Sequence, residues 1–299
     1  MIIQTTNLSK HYGRIHALRG IDLHIEPGEI YGLLGPNGAG KTTTLRLLLD
    51  LIRPSTGTVS MFGLDLATHS VAIRRRLGYL PGDLTLYPNM TGHQFLKLCA
   101  GLRGHRDPRP AQRLAERFDL DLRRKCGDLS KGNRQKLGVV QAFLHEPELV
   151  ILDEPGSGLD PVVQRELHDH LREFAFAGGT VLFSSHVLSE VEHVADRVGI
   201  LLAGEMAVQD RVDRLKANAL RELEFTFAEP VAPQRFAALP GVREASADGT
   251  IMRCRVAGTV GELLREVAAL PVLNVTSHEP DLEDIFLDYV EGKVARHVA

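Results

Sequence analysis

The chain has 299 residues, 43% hydrophobic and 24% charged, with a formal net charge of −3. This is an ordinary globular composition, with room for one large domain or two smaller ones and a core that needs no staples. Its slight acidity argues against a protein that holds nucleic acid through a basic excess. Cys99, Cys126 and Cys254 stand far apart and form no Cys-x-x-Cys pair, so they read as free thiols of a reducing cytosol. Met1-Ile2-Ile3-Gln4 lacks the charged start and apolar run of a signal peptide. No run of about 18 apolar residues follows, so the chain is not expected to span a bilayer. Any link to a membrane must come through a partner.

In chain order, Ile2 to Leu8 and Ile21 to Glu26 alternate like strands, and Pro27-Gly28 is a turn. Glu29 to Leu34 is a short apolar strand that runs into a glycine-rich loop, and Lys41 to Leu51 reads as a helix. From about residue 83 the character changes. Thr91 to Leu102 and Pro110 to Phe118 carry helical spacing, which suggests a helical insertion over 83–148. Leu149 to Leu152 and Thr180 to Ser185 read as buried strands, joined through a crossover helix over Val162 to Ala177. After Leu215 the pattern shifts again. Strands over Arg221 to Phe227, Val242 to Ala245, Ile251 to Val256 and Val272 to Ser277 alternate with helices over Pro233 to Leu239 and Val260 to Leu270. The order β-α-β-β-α-β suggests a small ferredoxin-like unit over 216–299, after a larger domain over 1–215.

Gly35-Pro36-Asn37-Gly38-Ala39-Gly40-Lys41-Thr42 fits the pattern G-x-x-x-x-G-K-[ST], followed by Thr43. Glycines let the backbone curl so that successive N–H groups face an anion. The helix that opens near Lys41 points its positive end at the same place. Lys41 supplies a mobile charge for β- and γ-phosphates, and Thr42 offers a hydroxyl to Mg²⁺. A chance glycine turn before a helix is the bland alternative, but the strand before and the helix after are the context the motif demands.

Leu149-Val150-Ile151-Leu152-Asp153-Glu154 is an apolar strand that ends in two acids. The C-terminal end of such a strand opens onto the ligand crevice of an α/β sheet. Asp153 is expected to hold Mg²⁺ through water, and Glu154 to polarise an attacking water as general base. The alternative is that both acids merely finish a strand.

These residues lead to a family resemblance. Leu129-Ser130-Lys131-Gly132-Asn133, upstream of Asp153, resembles the LSGGQ signature of ABC ATPases. Ser157-Gly158-Leu159-Asp160 resembles the family's D-loop, Ser184-Ser185-His186 its switch histidine, and Tyr12 the aromatic residue that stacks on adenine. Together these cover about residues 1 to 215. Two departures stand out. Gly82, followed by Asp83, occupies the place where the family usually carries a glutamine, so that Asp83 or a water must serve there. Lys131 and Asn133 replace Gly and Gln in the signature, while Ser130 and Gly132 remain.

The resemblance implies an α/β phosphate-loop NTPase fold of the ABC ATPase type with a helical subdomain, and a reaction of ATP and Mg²⁺. It implies that Ser130 and Gly132 serve nucleotide held by a second nucleotide-binding subunit, a homodimer being expected, with Asp160 at the seam. Asp160 also suits a helix cap before Pro161. His186 would sense the γ-phosphate. Leu282-Glu283-Asp284-Ile285-Phe286-Leu287 resembles the tail of ATPases from drug- and antibiotic-exporter systems, or is simply an amphipathic helix closing a small domain. The expected protein is a cytoplasmic ATPase, peripheral on the inner face of the membrane, that drives an integral membrane permease and binds no nucleic acid. A soluble ABC ATPase acting on ribosomes or DNA is the alternative, but the chain carries one phosphate loop and no sustained heptads. A small-molecule kinase would leave the signature, D-loop and switch histidine without purpose.

Overall fold

The structure is a computed structural model and describes residues 1–297 apart from 106. It divides into two compact units, Met1–Gln209 and a second that begins at Asp210.

In the first unit every residue of Ile30–Leu34, Leu149–Asp153 and Thr180–Ser185 is buried, as continuous apolar runs in a covered parallel sheet require. The strands lie in the order Arg197–Leu202, Ile30–Leu34, Thr180–Ser185, Leu149–Asp153, Leu77–Leu80, all paired in parallel, with Glu205–Arg211 at the outer edge beside Arg197–Leu202. Helix Pro161–Phe176 makes the crossover between Leu149–Asp153 and Thr180–Ser185. The register sets Leu34 against Ser185 and Asp153 against Ser184. The loops that begin at Gly35, Glu154 and His186 therefore leave one edge of the sheet side by side. This is the crevice where open α/β sheets bind ligands.

A second, antiparallel sheet is centred on Ile3–Tyr12, which pairs with Ile15–Ile21, His24–Ile25 and Thr56–Met61; Leu64–Asp65 adds to the last of these. Ile3, Leu8, Leu18 and Ile25 of this sheet share one core with Leu33, Ile151 and Leu182 of the parallel sheet. The strand expected over Ile21 to Glu26 is two strands instead. The buried Thr5 hydroxyl donates to Ile21 O at 3.0 Å and accepts from Leu23 N at 2.8 Å, which holds the chain in a bend between them. The helix expected to Leu51 stops at Leu48, after which Asp50 takes a left-handed φ of 55°.

Between Leu77–Leu80 and Leu149–Asp153 the chain runs through helices Gly92–Arg103, Arg109–Arg117 and Lys131–Phe143. Thr91 and Gln94 form a reciprocal capping box at the first. The third packs on strand Leu77–Leu80. The approach is close because Gly78 has no side chain: a Cβ there would lie 2.0 Å from the Ala142 carbonyl oxygen.

The second unit has a four-stranded antiparallel sheet in the order Val242–Asp248, Ile251–Val256, Arg221–Phe227, Val272–His278. Leu223, Phe225, Phe227, Met252 and Cys254 point to one face, where Phe236, Leu263 and Val267 of helices Gln234–Ala237 and Gly261–Ala268 cover them. The unit begins before the expected residue 216, because helix Val212–Asn218 buries Val212 and Leu215 and packs with helix Leu282–His297. All three cysteines are free thiols.

Gly78→Ala is expected to push helix Lys131–Phe143 off its strand and to cost about 1–3 kcal/mol, the usual range for overpacking. A thermal unfolding midpoint equal to that of the unmodified protein would contradict this packing.

Candidate active site

Strand Ile30–Leu34 delivers the chain into the phosphate loop, and helix Lys41–Leu48 leaves it. Two of its glycines are required by geometry. Gly35 has φ +154° and a Cβ there would lie 2.3 Å from Leu201 O; Gly40 has φ +110° and its Cβ would lie 2.7 Å from Ala17 O. Ala39 N donates to Pro36 O at 3.1 Å and Gly204 N to Ala39 O at 3.0 Å, which fixes the curl, while Pro36, Asn37 and Gly38 are exposed at its tip. Gly40 caps the helix without a side chain, so the first-turn N–H groups face outward as anion donors. Thr42 and Thr43 are half-buried in that turn.

Lys41 is buried, and its ammonium donates to Gly35 O at 2.6 Å and to Pro36 O at 3.3 Å. Burial pushes its pKa down, and the nearby charges of Glu154 and Asp153 pull it back up. The loop thus keeps a desolvated cation folded against its own carbonyls, ready to transfer those bonds to stronger anionic acceptors.

Asp153 is buried at the strand end. Its Oδ1 accepts from Ser184 Oγ at 2.6 Å and from Thr42 Oγ1 at 3.4 Å. Gly82 lies beside its other oxygen: a Cβ at 82 would sit 3.2 Å from Asp153 Oδ2. A side chain at this position would meet the carboxylate, and glycine leaves that space open. Glu154 follows with φ +52°, a left-handed conformation that non-glycine residues adopt at a cost. Its N–H donates to Ser184 O at 3.2 Å and Ser184 Oγ at 3.1 Å. From the other side the buried Gln135 amide donates to Glu154 O at 3.1 Å and Pro155 O at 3.0 Å. The strained backbone aims the carboxylate at His186, whose Nδ1 lies 3.0 Å from Glu154 Oε1.

Gln135 and Ser184 carry positioning roles that motif reading does not give them. Each leaves a faint signal: a polar residue on the buried side of a helix, and a hydroxyl within a strand that is buried along its whole length.

The signature residues gather elsewhere. The helix begins at Lys131, not near Asn133, because Ser130 is its cap and accepts from Asn133 N at 3.2 Å. Gly132 presses on the D-loop, where a Cβ would lie 2.9 Å from Gly158 O, and the Lys131 side chain runs along Gly158. Asp160 caps helix Pro161–Phe176, its Oδ1 accepting from Val162 N and Val163 N at 3.0 Å each. These N–H groups, that of Val163 foremost, hold its carboxyl below the usual range. Tyr12 ends strand Ile3–Tyr12 with its ring half-exposed and the Lys10 ammonium 5.0 Å from the ring centre.

Lys41, Thr42, Asp153, Glu154 and His186 thus form one cluster. Among the described residues no side-chain hydrogen bond joins Ser130, Asp160 or Tyr12 to residues 35–43.

Residues 18–157 match the family described as ABC transporter. A bacitracin transport ATP-binding protein, BcrA of Enterococcus faecalis, is 35% identical over 298 residues, covering 97% of each chain. The chain belongs to the ABC transporter ATP-binding proteins. It is accordingly an ATP-hydrolysing subunit. The solved ATP-binding subunit of an ABC transporter superposes with a TM-score of 0.68 at 32% identity, over 72% of this chain and 92% of the other. A dimeric ATP-binding cassette described in a post-hydrolysis state with ADP and Pi shares the fold, with a TM-score of 0.65 at 23% identity, over 70% of this chain and 98% of that one. Nothing in these likenesses favours the ribosome or DNA reading. Among the described residues no helix is long and apolar enough to cross a membrane.

Gln135→Leu keeps side-chain volume but removes the donor shared by two carbonyls of the Glu154 loop. Leaving buried acceptors unmade costs about 1–3 kcal/mol. The denaturation midpoint should fall accordingly, and ATP turnover with it; an unchanged midpoint would show that the loop does not depend on Gln135.

Proposed function

We propose that this chain powers antibiotic or drug export through a separate membrane permease, two copies closing on ATP at the cytoplasmic face. The observation that carries this reading is the division of labour within one chain. The phosphate loop, both acids and His186 are assembled at one sheet edge, while Ser130 caps the signature helix and Gly132 lies against the D-loop, neither joined by a hydrogen bond to that cluster among the described residues. Two chains arranged head to tail would complete each site, with the Ser130 hydroxyl and its helix N-terminus on the γ-phosphate. Asp160, holding that D-loop through its cap, would lie at the seam. The full-length likeness to a bacitracin transport protein supports export, and the dimeric cassette of the same fold supports the pairing.

In this reading Gly35 to Gly40 wrap the phosphates with backbone N–H groups, Lys41 moves onto the β- and γ-oxygens, and Tyr12 stacks on adenine. Thr42 and Asp153 fit Mg²⁺: a hydroxyl and a fixed carboxylate oxygen stand 3.4 Å apart, with Ser184 setting the carboxylate plane. Among the described residues no group of three or more His, Cys, Asp or Glu side chains could hold a metal alone. That donor set suits a cation that takes its other oxygens from phosphates and water. When bound, the ion neutralises charge on the β- and γ-phosphates. Glu154 accepts a proton from the attacking water, and His186, bonded to Glu154 across the crevice, reports the presence of the γ-phosphate. The 216–299 region, read as a ferredoxin-like unit, adds dimer contacts or regulation. Its strand order, with the first strand between the third and fourth, supports that reading.

The direct test of coupling is co-purification with a polytopic membrane protein that raises ATP turnover; full activity with no such partner in cells would count against the reading. Glu154→Gln removes the base and keeps the shape. It should lower kcat by roughly 10²-fold or more, the scale of general base catalysis, while ATP binding persists and the closed pair accumulates. Turnover at the unmodified rate would refute the role. Lys41→Ala removes a charge-assisted contact of about 1.5–3 kcal/mol and should weaken ATP binding about tenfold or more. Normal affinity in a direct binding titration would overturn the reading of the loop.

A further inference from the structure

Glu190 has no part in the scheme above, yet it stands between the two loops that carry it. It lies on helix Leu188–Val194 with its side chain 11% exposed. Its Oε2 accepts from Ser185 Oγ at 2.6 Å, a short charge-assisted bond. The same Ser185 oxygen accepts from Val187 N at 3.0 Å. Ser185 and Val187 bracket His186, so the turn that presents the imidazole is tied on both sides to one hydroxyl, and that hydroxyl is tied to Glu190.

The other carboxylate oxygen faces the Glu154 loop. A Cβ on Gly156 would fall 2.3 Å from Glu190 Oε1, so glycine at 156 is what lets the carboxylate lie against this backbone. Gln164 holds the same residue from behind, donating to Gly156 O at 3.1 Å. Oε1 is buried without a hydrogen bond, and so is His168 Nε2, which faces it at 3.6 Å. A buried carboxylate oxygen left without a donor is costly, so Glu190 depends on its Ser185 bond for compensation.

We propose that Glu190 is a positioning residue for ATP hydrolysis: through Ser185 and Gly156 it sets the separation of His186 from Glu154. The inference rests on the roles given above to Glu154 and His186. It acts on geometry that matters in the reacting complex, so it should move kcat rather than nucleotide binding.

The test uses the full chain with Mg²⁺ and ATP, and compares Glu190→Ala, Glu190→Gln, Ser185→Ala and the double variant Ser185→Ala/Glu190→Ala. Glu190→Ala should lower kcat about tenfold or more with KM and directly titrated ATP affinity within about twofold, the split expected of an interaction used only in the reaction. Glu190→Gln keeps the length and an acceptor for Ser185, and should restore most of the rate. Ser185→Ala should match Glu190→Ala, and the double variant should be no slower than the worse single, because both remove the same link. Unchanged kcat in Glu190→Ala would overturn the proposal. So would a rate loss that Glu190→Gln does not restore, or equal losses in rate and ATP affinity. Glu154→Gln run alongside separates the two readings. If it hydrolyses ATP normally, the site assignment itself fails; if it is slow while Glu190→Ala is fast, only the positioning role fails.

Discussion

Three segments distant in sequence meet on the Asp153 carboxylate. Ser184 reaches it from the neighbouring strand and Thr42 from the helix behind the phosphate loop, both on Oδ1. A buried carboxylate tolerates this position only while donors and positive charge surround it. Lys41 supplies the charge, and Asp153 and Glu154 in turn counter the effect of burial on Lys41. The two acids and the cation thus lie close enough to act on one another, and the carboxylate charges offset part of what burial costs the Lys41 ammonium. The rest of the fold keeps this meeting point in register, with Asp153 opposite Ser184 and Leu34 opposite Ser185.

From this point the two loops diverge with opposite constraints. Glu154 sits in a strained left-handed conformation, held by Ser184 on one side and by Gln135 on the other. Gln135 belongs to the helix that Ser130 caps. The helix that would serve a partner's nucleotide is thus wired by one side chain to the base that would serve this chain's own. Gly132 against Gly158 is a second such link, this time to the D-loop. Under the proposed head-to-tail pairing, movement of the signature helix would be carried to the Glu154 loop through these contacts.

Much of this was legible in the sequence because the chemistry is local there. The phosphate loop, the Asp153-Glu154 pair, Ser130, Asp160 and His186 are each announced by a few adjacent residues. The buried strands are announced by unbroken apolar runs, and Arg221–Phe227 and Ile251–Val256 by alternation that the structure keeps to the residue. What was not legible depends on distant partners. In Thr56–Met61 the first three residues are exposed and only Val59 and Met61 are buried, opposite Thr5 and Ile3, so its pattern makes sense only beside the first strand. The break at Asp22 and Leu23 belongs to Thr5, and the early end of helix Lys41–Leu48 to the turn at Asp50. Gln135, Ser184 and Glu190 leave at most a faint signal in their own segments and acquire roles from groups that the fold brings to them. The place of Gly82 was legible, since it does lie beside Asp153, but what its missing side chain leaves open was not.

In the proposed pairing, one chain holds half of each nucleotide site. A crystal structure with Mg²⁺ and a non-cleavable ATP analogue tests it most directly. The terminal phosphate should be enclosed by Gly35 to Thr42 of one copy, with Ser130 of the partner subunit within hydrogen-bonding distance. An analogue fully enclosed by a single chain, with Ser130 of the partner subunit remote from the terminal phosphate, would contradict it.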